Sequence, residues 1–196
     1  MSILRELGVP IFKAGGVPTI DLRTYVLTVG GLVEKEQHFS WEKILAMPKT
    51  GVNCRLTSVS GWSVRADWEG IRWHDFVQQI SIRPEANHAR FSTMGGGYIT
   101  VVSCKDLENP RVLLAYGVKG ESIELEYGGP LRMVIPNLWG YKSCKWLGRI
   151  DFIDQMEGGY WEDRGYTRSG LIDPGFTLDI NTKTRRPIQG GEVTEF

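Results

Sequence analysis

The chain has 196 residues, in which 23 lysines and arginines balance 23 aspartates and glutamates. That length suits one domain, or one domain with an extension, and the charge balance leaves no overall field to draw in nucleic acid or an anionic membrane. No run approaches the ~20 apolar residues of a membrane span, the start MSILRELGVP lacks the charged-then-apolar layout of a signal peptide, and three scattered cysteines suit reduced thiols better than a disulfide framework. A soluble, cytoplasmic protein without a transmembrane segment is expected.

The first twenty residues are irregular, punctuated by Pro10, Gly15, Gly16 and Pro18. Tyr25 to Val29 is rich in β-branched and aromatic residues and ends at Gly30-Gly31, which reads as a strand and a turn. Ser40 offers an N-cap to a short helix over 41–46, stopped by Pro48. At 52, 54 and 56 apolar residues alternate with polar ones, the pattern of a half-buried strand with Cys54 on its core face. Thr57 to Ser63 and a polar loop as far as Trp68-Glu-Gly70 should follow, presenting side chains beyond a sheet edge. Trp73, Phe76, Val77 and Ile80 fall at helical spacing. Two strands, 89–93 and 98–103, flank Met94-Gly-Gly-Gly97 as a hairpin, and 105–109 reads as a helical turn. Leu113 to Tyr116, the turn Gly117 to Gly120 and Ser122 to Leu125 lead into the stretch that follows.

The stretch from Gly128 to Trp146, GGPLRMVIPNLWGYKSCKW, organises the rest. An apolar strand, Leu131 to Ile135, carries Arg132 and is closed by Pro136, which cannot donate to a sheet ladder. The loop after it gathers Tyr141, Lys142, Ser143 and Lys145 behind Gly140. Two ammonium groups, a hydroxyl and backbone N–H groups freed by a glycine are the parts of an anion or phosphate site; a solvated basic turn is the plainer reading. Arg149 to Ile153 alternates as a strand, and Gly158-Gly-Tyr-Trp161 is aromatic enough to pack back on the body. From Thr167 to Phe196 the chain is polar and reads as an extension without its own core. The expected division is therefore 1–166 as the domain and 167–196 as the extension. Many short strands with few helices indicate a strand-rich, mixed α+β fold.

Other chemistries find little support. No G-x-S-x-G elbow is present, Gly95-Gly-Gly97 lacks dinucleotide-loop spacing, and Glu121, Glu124 and Glu126 sit most simply on solvent-facing positions. His38, His74 and His88 share no metal-ligand spacing with each other or with the cysteines.

Taken together, Ser-Gly-Trp-Ser at 60–63, Trp68-Glu-Gly-Ile71, Gly128-Gly-Pro-Leu-Arg132, Val134-Ile-Pro136 and Gly140-Tyr-Lys-Ser-Cys-Lys-Trp146 resemble the molybdopterin-binding domain of the sulfite oxidase family. The likeness is greatest to its small bacterial and archaeal sulfite-oxidase-like oxidoreductases, and runs from about Val9 to Tyr166. It implies that family's strand-rich fold, a molybdopterin whose dithiolene sulfurs hold molybdenum, and oxidoreductase activity, with other subunits of a redox complex as partners. By the resemblance, Lys142, Ser143 and Lys145 hold the pterin phosphate with Tyr141 beside them, and Arg132 reaches the pterin as a fixed donor fork.

Two positions depart from the family pattern His-Cys-Val-Thr-(Gly or Arg)-Trp-Ser and its upstream Leu-His-x-Gly. The aligned residues are Thr57-Ser-Val-Ser-Gly-Trp-Ser63, which puts Thr57 among the cofactor contacts and Ser58 where a thiolate ligates the metal; Lys13 replaces the upstream histidine. Cys54 is four residues from Ser58, about 13 Å along a strand at roughly 3.3 Å per residue, and Cys144 falls among the phosphate ligands. Three states are open: a serine oxygen on molybdenum, a pterin bound without turnover, or a non-catalytic accessory subunit of a larger redox complex.

Overall fold

A computed structural model describes residues 3–12 and 16–196. In chain order its elements are α1 (Ile3–Leu7), β1 (Val26–Gly31), β2 (Gln37–Ser40), α2 (Trp41–Leu45), β3 (Thr50–Ser58), β4 (Trp62–Arg72), α3 (Trp73–Val77) and β5 (His88–Thr93). There follow β6 (Ile99–Ser103), α4 (Cys104–Leu107), β7 (Leu113–Val118), β8 (Glu121–Ser122), β9 (Arg132–Val134), β10 (Leu147–Ile153), β11 (Gly175–Asp179) and β12 (Thr184–Ile188). Single 3-10 turns occupy Leu125–Tyr127, Gly140–Lys142 and Glu162–Arg164. This is the strand-rich α+β architecture expected. The helices are short, of four or five residues, and two of them carry an N-terminal side-chain cap: Ser40 Oγ accepts from Lys43 N, and Ser103 Oγ from Asp106 N.

The strands form two sheets. The first runs β2-β1-β10-β5-β6, with β1 and β10 parallel and the other neighbours antiparallel. The second is built on β4, whose whole length pairs with β3 from Thr50↔Gly70 to Ser58↔Trp62. Its other edge is shared: β11 joins in parallel at Trp62 and Ser63, and β7 joins antiparallel from Trp68 onward. At the bulge between Glu69 and Gly70 a Cβ on Gly70 would lie 2.0 Å from the Leu114 carbonyl oxygen, so the close approach of β4 to β7 requires glycine there.

The second sheet is buried on both faces, which explains the continuous apolar runs of β7 and β9. Leu114, Met133 and Ile71 enter a large core shared with β1, β5, β6 and β10, while Leu113, Val134, Val64 and Trp68 enter a second core with Val52, Cys54 and Leu56. The period-two pattern on β3 and its burial of Cys54 are as expected.

Two stretches differ from expectation. Residues 62–72 are a strand and not a loop: Val64, Ala66 and Trp68 alternate inward while Arg65, Asp67 and Glu69 face outward, and small Ala66 masks the pattern. Beyond Thr167, β11 pairs with β4 on one side and β12 on the other, and Ile172, Ile188 and Val193 form a small cluster against Trp139. The pattern of β11 is inverted, since Thr177 and Asp179 are buried while Phe176 and Leu178 are exposed.

Candidate functional site

The β3–β4 hairpin and the loop after β9 meet at one cavity of about 150 Å³ that opens to solvent. Alternation along β3 decides which hydroxyl enters it. Leu56 and Ser58 share one face and line the cavity, whereas Thr57 points to the other side, fully buried, with its Oγ1 2.9 Å from Ser63 Oγ. Ser58 closes the hairpin: its Oγ accepts from Ser60 N at 3.2 Å and lies 2.8 Å from Ser60 Oγ. Gly140 seats the basic loop against this strand end, since a Cβ there would be 3.3 Å from the Thr57 carbonyl oxygen and 3.8 Å from Ser58 Cα.

Arg132 and Lys145 bring positive charge to the cavity. The Arg132 guanidinium is buried and donates to the carbonyls of Tyr127 at 2.6 Å, Met133 at 3.2 Å and Ser143 at 3.4 Å. Lys145 Nζ donates to the carbonyls of Phe12 at 2.9 Å and Glu126 at 3.2 Å. Neither cation pairs with a carboxylate among the described residues, and no carboxylate lines the cavity. Burial draws the guanidinium down to about 10, where it is still charged at neutral pH. Burial first, then the adjacent Arg132, takes the Lys145 ammonium down to about 7.

Ser143 also lines the cavity, with its Oγ accepting from Ile135 N at 3.0 Å. Tyr141 lines it and donates its hydroxyl to the Thr167 carbonyl at 2.7 Å. Lys142 is turned away. Its side chain is wholly buried, and Nζ lies 2.6 Å from Glu162 Oε1 and 2.8 Å from the Val101 carbonyl oxygen. Thus five expected site residues, Ser58, Arg132, Tyr141, Ser143 and Lys145, converge on the cavity, while Thr57 and Lys142 face elsewhere. Lys13 lies outside the described residues.

Aromatic side chains from distant segments complete the wall. Trp161 and Tyr166 line the cavity with their rings stacked at 5.1 Å, Tyr141 packs edge-on against Tyr166, and Tyr98 stacks on Tyr160. The aromatic run at 158–161 does pack back on the body, but its part in the cavity was not legible, because the pairing of Tyr160 N with the Ile99 carbonyl is nonlocal. Trp62 lines the cavity too, and its buried indole N–H has no acceptor. None of the three cysteines is among the lining residues. Cys54 is buried, which pushes its thiol up to about 12, and Cys144 is raised still further by burial.

The residues present fit an anionic, ring-bearing cofactor at the cation end: two cations lacking counter-charges, an orphaned indole donor and an aromatic wall. Toward a metal the cavity offers the Ser58 hydroxyl, and the described residues contain no cluster of three histidine, cysteine or carboxylate groups suited to hold an ion. No helix among the described residues is long and apolar enough to cross a membrane.

Comparison with known proteins gives concordant results. Residues 14–161 match the family model described as "Oxidoreductase molybdopterin binding domain". The oxidoreductase YuiH of Bacillus subtilis is 34% identical over 164 residues, covering 82% of each chain. Sulfite oxidase of Arabidopsis thaliana is 29% identical over 211 residues, and the catalytic subunit MsrP of the protein-methionine-sulfoxide reductase of Gluconobacter oxydans is 27% identical over 180. The matches take in 88% and 83% of this chain but only 53% and 56% of those relatives, so the chain spans little more than half their length. Among solved structures, the sulfane dehydrogenase SoxCD of Paracoccus pantotrophus shares the fold with a TM-score of 0.68 at 18% identity, covering 90% of this chain and 47% of that one.

Proposed function

This chain belongs to the oxidoreductase molybdopterin-binding domain family, and on that premise we propose that its cavity holds a molybdopterin as the working centre of an oxidoreductase. The observation that carries this reading is the pair of cations, Arg132 and Lys145, lining one cavity with only carbonyl partners. A buried charge without a counter-charge is costly, and a phosphate group supplies the missing charge. Arg132 provides a fixed fork and Lys145 a mobile point charge, while the Trp62 indole N–H supplies a further donor. Trp161, Tyr166 and Tyr141 shield the bound group from water. When bound, the group would bring two-electron redox chemistry at molybdenum, with Ser58 presenting an oxygen donor where relatives are expected to present sulfur.

Purification from a host that makes the cofactor, followed by metal analysis and pterin fluorescence, tests the reading. Stoichiometric pterin is expected, and absence of both pterin and molybdenum would sink it.

The lack of a thiol among the cavity-lining residues favours a second reading, a non-catalytic subunit that keeps the pocket within a larger redox assembly. A relative from Azospira oryzae whose name describes it as a putative subunit of a protein-methionine-sulfoxide reductase lends support to the assembly part of this reading. Stoichiometric cofactor, no redox turnover and co-purification with a defined redox partner from the native source would favour this reading over the first.

A further inference from the structure

Three consecutive carbonyls of the 3-10 turn Leu125–Tyr127 accept hydrogen bonds from three cavity residues. Trp146 Nε1 donates to Leu125 at 2.6 Å, Lys145 Nζ to Glu126 at 3.2 Å and Arg132 Nη1 to Tyr127 at 2.6 Å. Carbonyl dipoles hold both cations in place without neutralising either. The Arg132 guanidinium, drawn down only to about 10, keeps its proton near neutrality, so when two cations share an apolar site, relief comes by deprotonating the ammonium or by admitting an anion.

The surroundings of Lys145 leave few other candidates for the proton. Among the described residues of the N-terminal segment, the Phe12 carbonyl alone reaches it. The carboxylates of Glu124 and Glu126 on the adjoining turn are directed to Arg5 of α1, at 3.0 and 3.4 Å. From β9 comes Arg132 itself. Tyr98 is raised well above the ordinary phenol range by burial, Tyr127 is raised likewise and donates to the Val9 carbonyl, and Cys144 is kept a thiol by burial. Lys145 is therefore the group that titrates near neutrality.

We propose that this cavity is a proton-coupled anion site, in which seating a dianionic phosphate group between Arg132 and Lys145 draws one proton onto the Lys145 amine. The inference rests on the anion-site reading above and adds that the site's grip is set by pH. The incoming negative charge restores the ammonium, so affinity is full where Lys145 is already protonated and weakens as pH rises through the value of the empty site.

Calorimetric titration of the full chain, prepared without cofactor, with inorganic sulfate tests this, because sulfate keeps one charge from pH 6 to 9. Heats measured in two buffers of different ionisation enthalpy give the proton count. Uptake approaching one proton per sulfate is expected near pH 8, with affinity falling by up to tenfold per pH unit above about 7. A Lys145→Arg variant should bind with no uptake and no slope. Sulfate binding in the unaltered chain without proton uptake would overturn the coupling while leaving the anion site standing. The same uptake in Lys145→Arg would also overturn it. No sulfate binding even at pH 6.5 would overturn both. The proton count of the unaltered chain is decisive without any variant.

Discussion

Lys142 Nζ lies 2.6 Å from Glu162 Oε1, with both side chains fully removed from solvent. The pair joins the loop that carries Tyr141 and Ser143 to the segment that carries Trp161, so it fixes the basic loop against the aromatic wall of the cavity. Thr100 Oγ1 also donates to Glu162 Oε1 at 2.6 Å. A Glu162→Leu change leaves a buried ammonium without its counter-charge and is expected to cost about 3–5 kcal/mol. Lys142→Met leaves a buried carboxylate with only the Thr100 hydroxyl and should cost a similar amount. The double variant Lys142→Met, Glu162→Leu should recover most of the loss, because an apolar pair can replace a buried ion pair. Urea unfolding measures all three; a double variant as unstable as the sum of the singles would show that the two residues act independently.

Gly170 makes room for the Lys142 stem. Its φ is +66°, and an added Cβ would lie 2.5 Å from Lys142 Cγ. Gly165 has a φ of +98° with open space around the same position. Both Gly→Ala changes incur the left-handed backbone strain of roughly 1–2 kcal/mol, but only Gly170→Ala also displaces the ion pair. The expected difference is at least about 1 kcal/mol more destabilisation at 170, read from the two urea midpoints. Equal shifts would mean that Lys142 is not held along the path described.

Much of this arrangement was legible in the sequence, and what was hidden has physical causes. Strands β3, β5, β6, β7 and β10 announce themselves because one or both faces enter a core. Strand β11 does not, since it turns Thr177 and Asp179 inward and Phe176 outward, and the buried Asp179 is satisfied by Arg55 on β3 at 3.0 Å together with Asn181 N and the Thr182 hydroxyl. Ser58 and Thr57 could be separated by β-strand alternation, but only once the strand was known to run through both. Lys142 and Lys145 look equivalent in Gly-Tyr-Lys-Ser-Cys-Lys-Trp. They part because Gly140–Lys142 is a 3-10 turn that carries Lys142 inward, toward a glutamate no local pattern connects to it.

Ser58 sits at the cavity with its hydroxyl engaged, among the described residues, by Ser60 alone. A Ser58→Cys variant places a thiol there at little structural cost, within about 1 kcal/mol, because the lost hydrogen bonds are half-exposed. If the cavity holds a molybdopterin, the variant should gain a sulfur-to-molybdenum charge-transfer band and a shifted redox potential when made in a cofactor-producing host. An unchanged spectrum with full pterin and metal content would mean that position 58 does not reach the metal.

The cofactor-free chain should also report Lys145 through its stability. Below pH 7 the Lys145 amine is protonated in both the folded and the unfolded chain, and the folded state carries the whole cost of its desolvation. Between about 7, the value in the folded chain, and the ordinary 10.5, the folded chain has released this proton while the unfolded chain retains it. The unfolded state then binds more protons, so stability rises with pH across that window. The urea midpoint of the unaltered chain should therefore climb from pH 7 to pH 9 relative to that of Lys145→Met, whose side chain cannot titrate. Saturating sulfate should flatten the climb by keeping the ammonium charged in the folded state. Parallel midpoint curves for the two proteins, with and without sulfate, would show that Lys145 is not the titrating group.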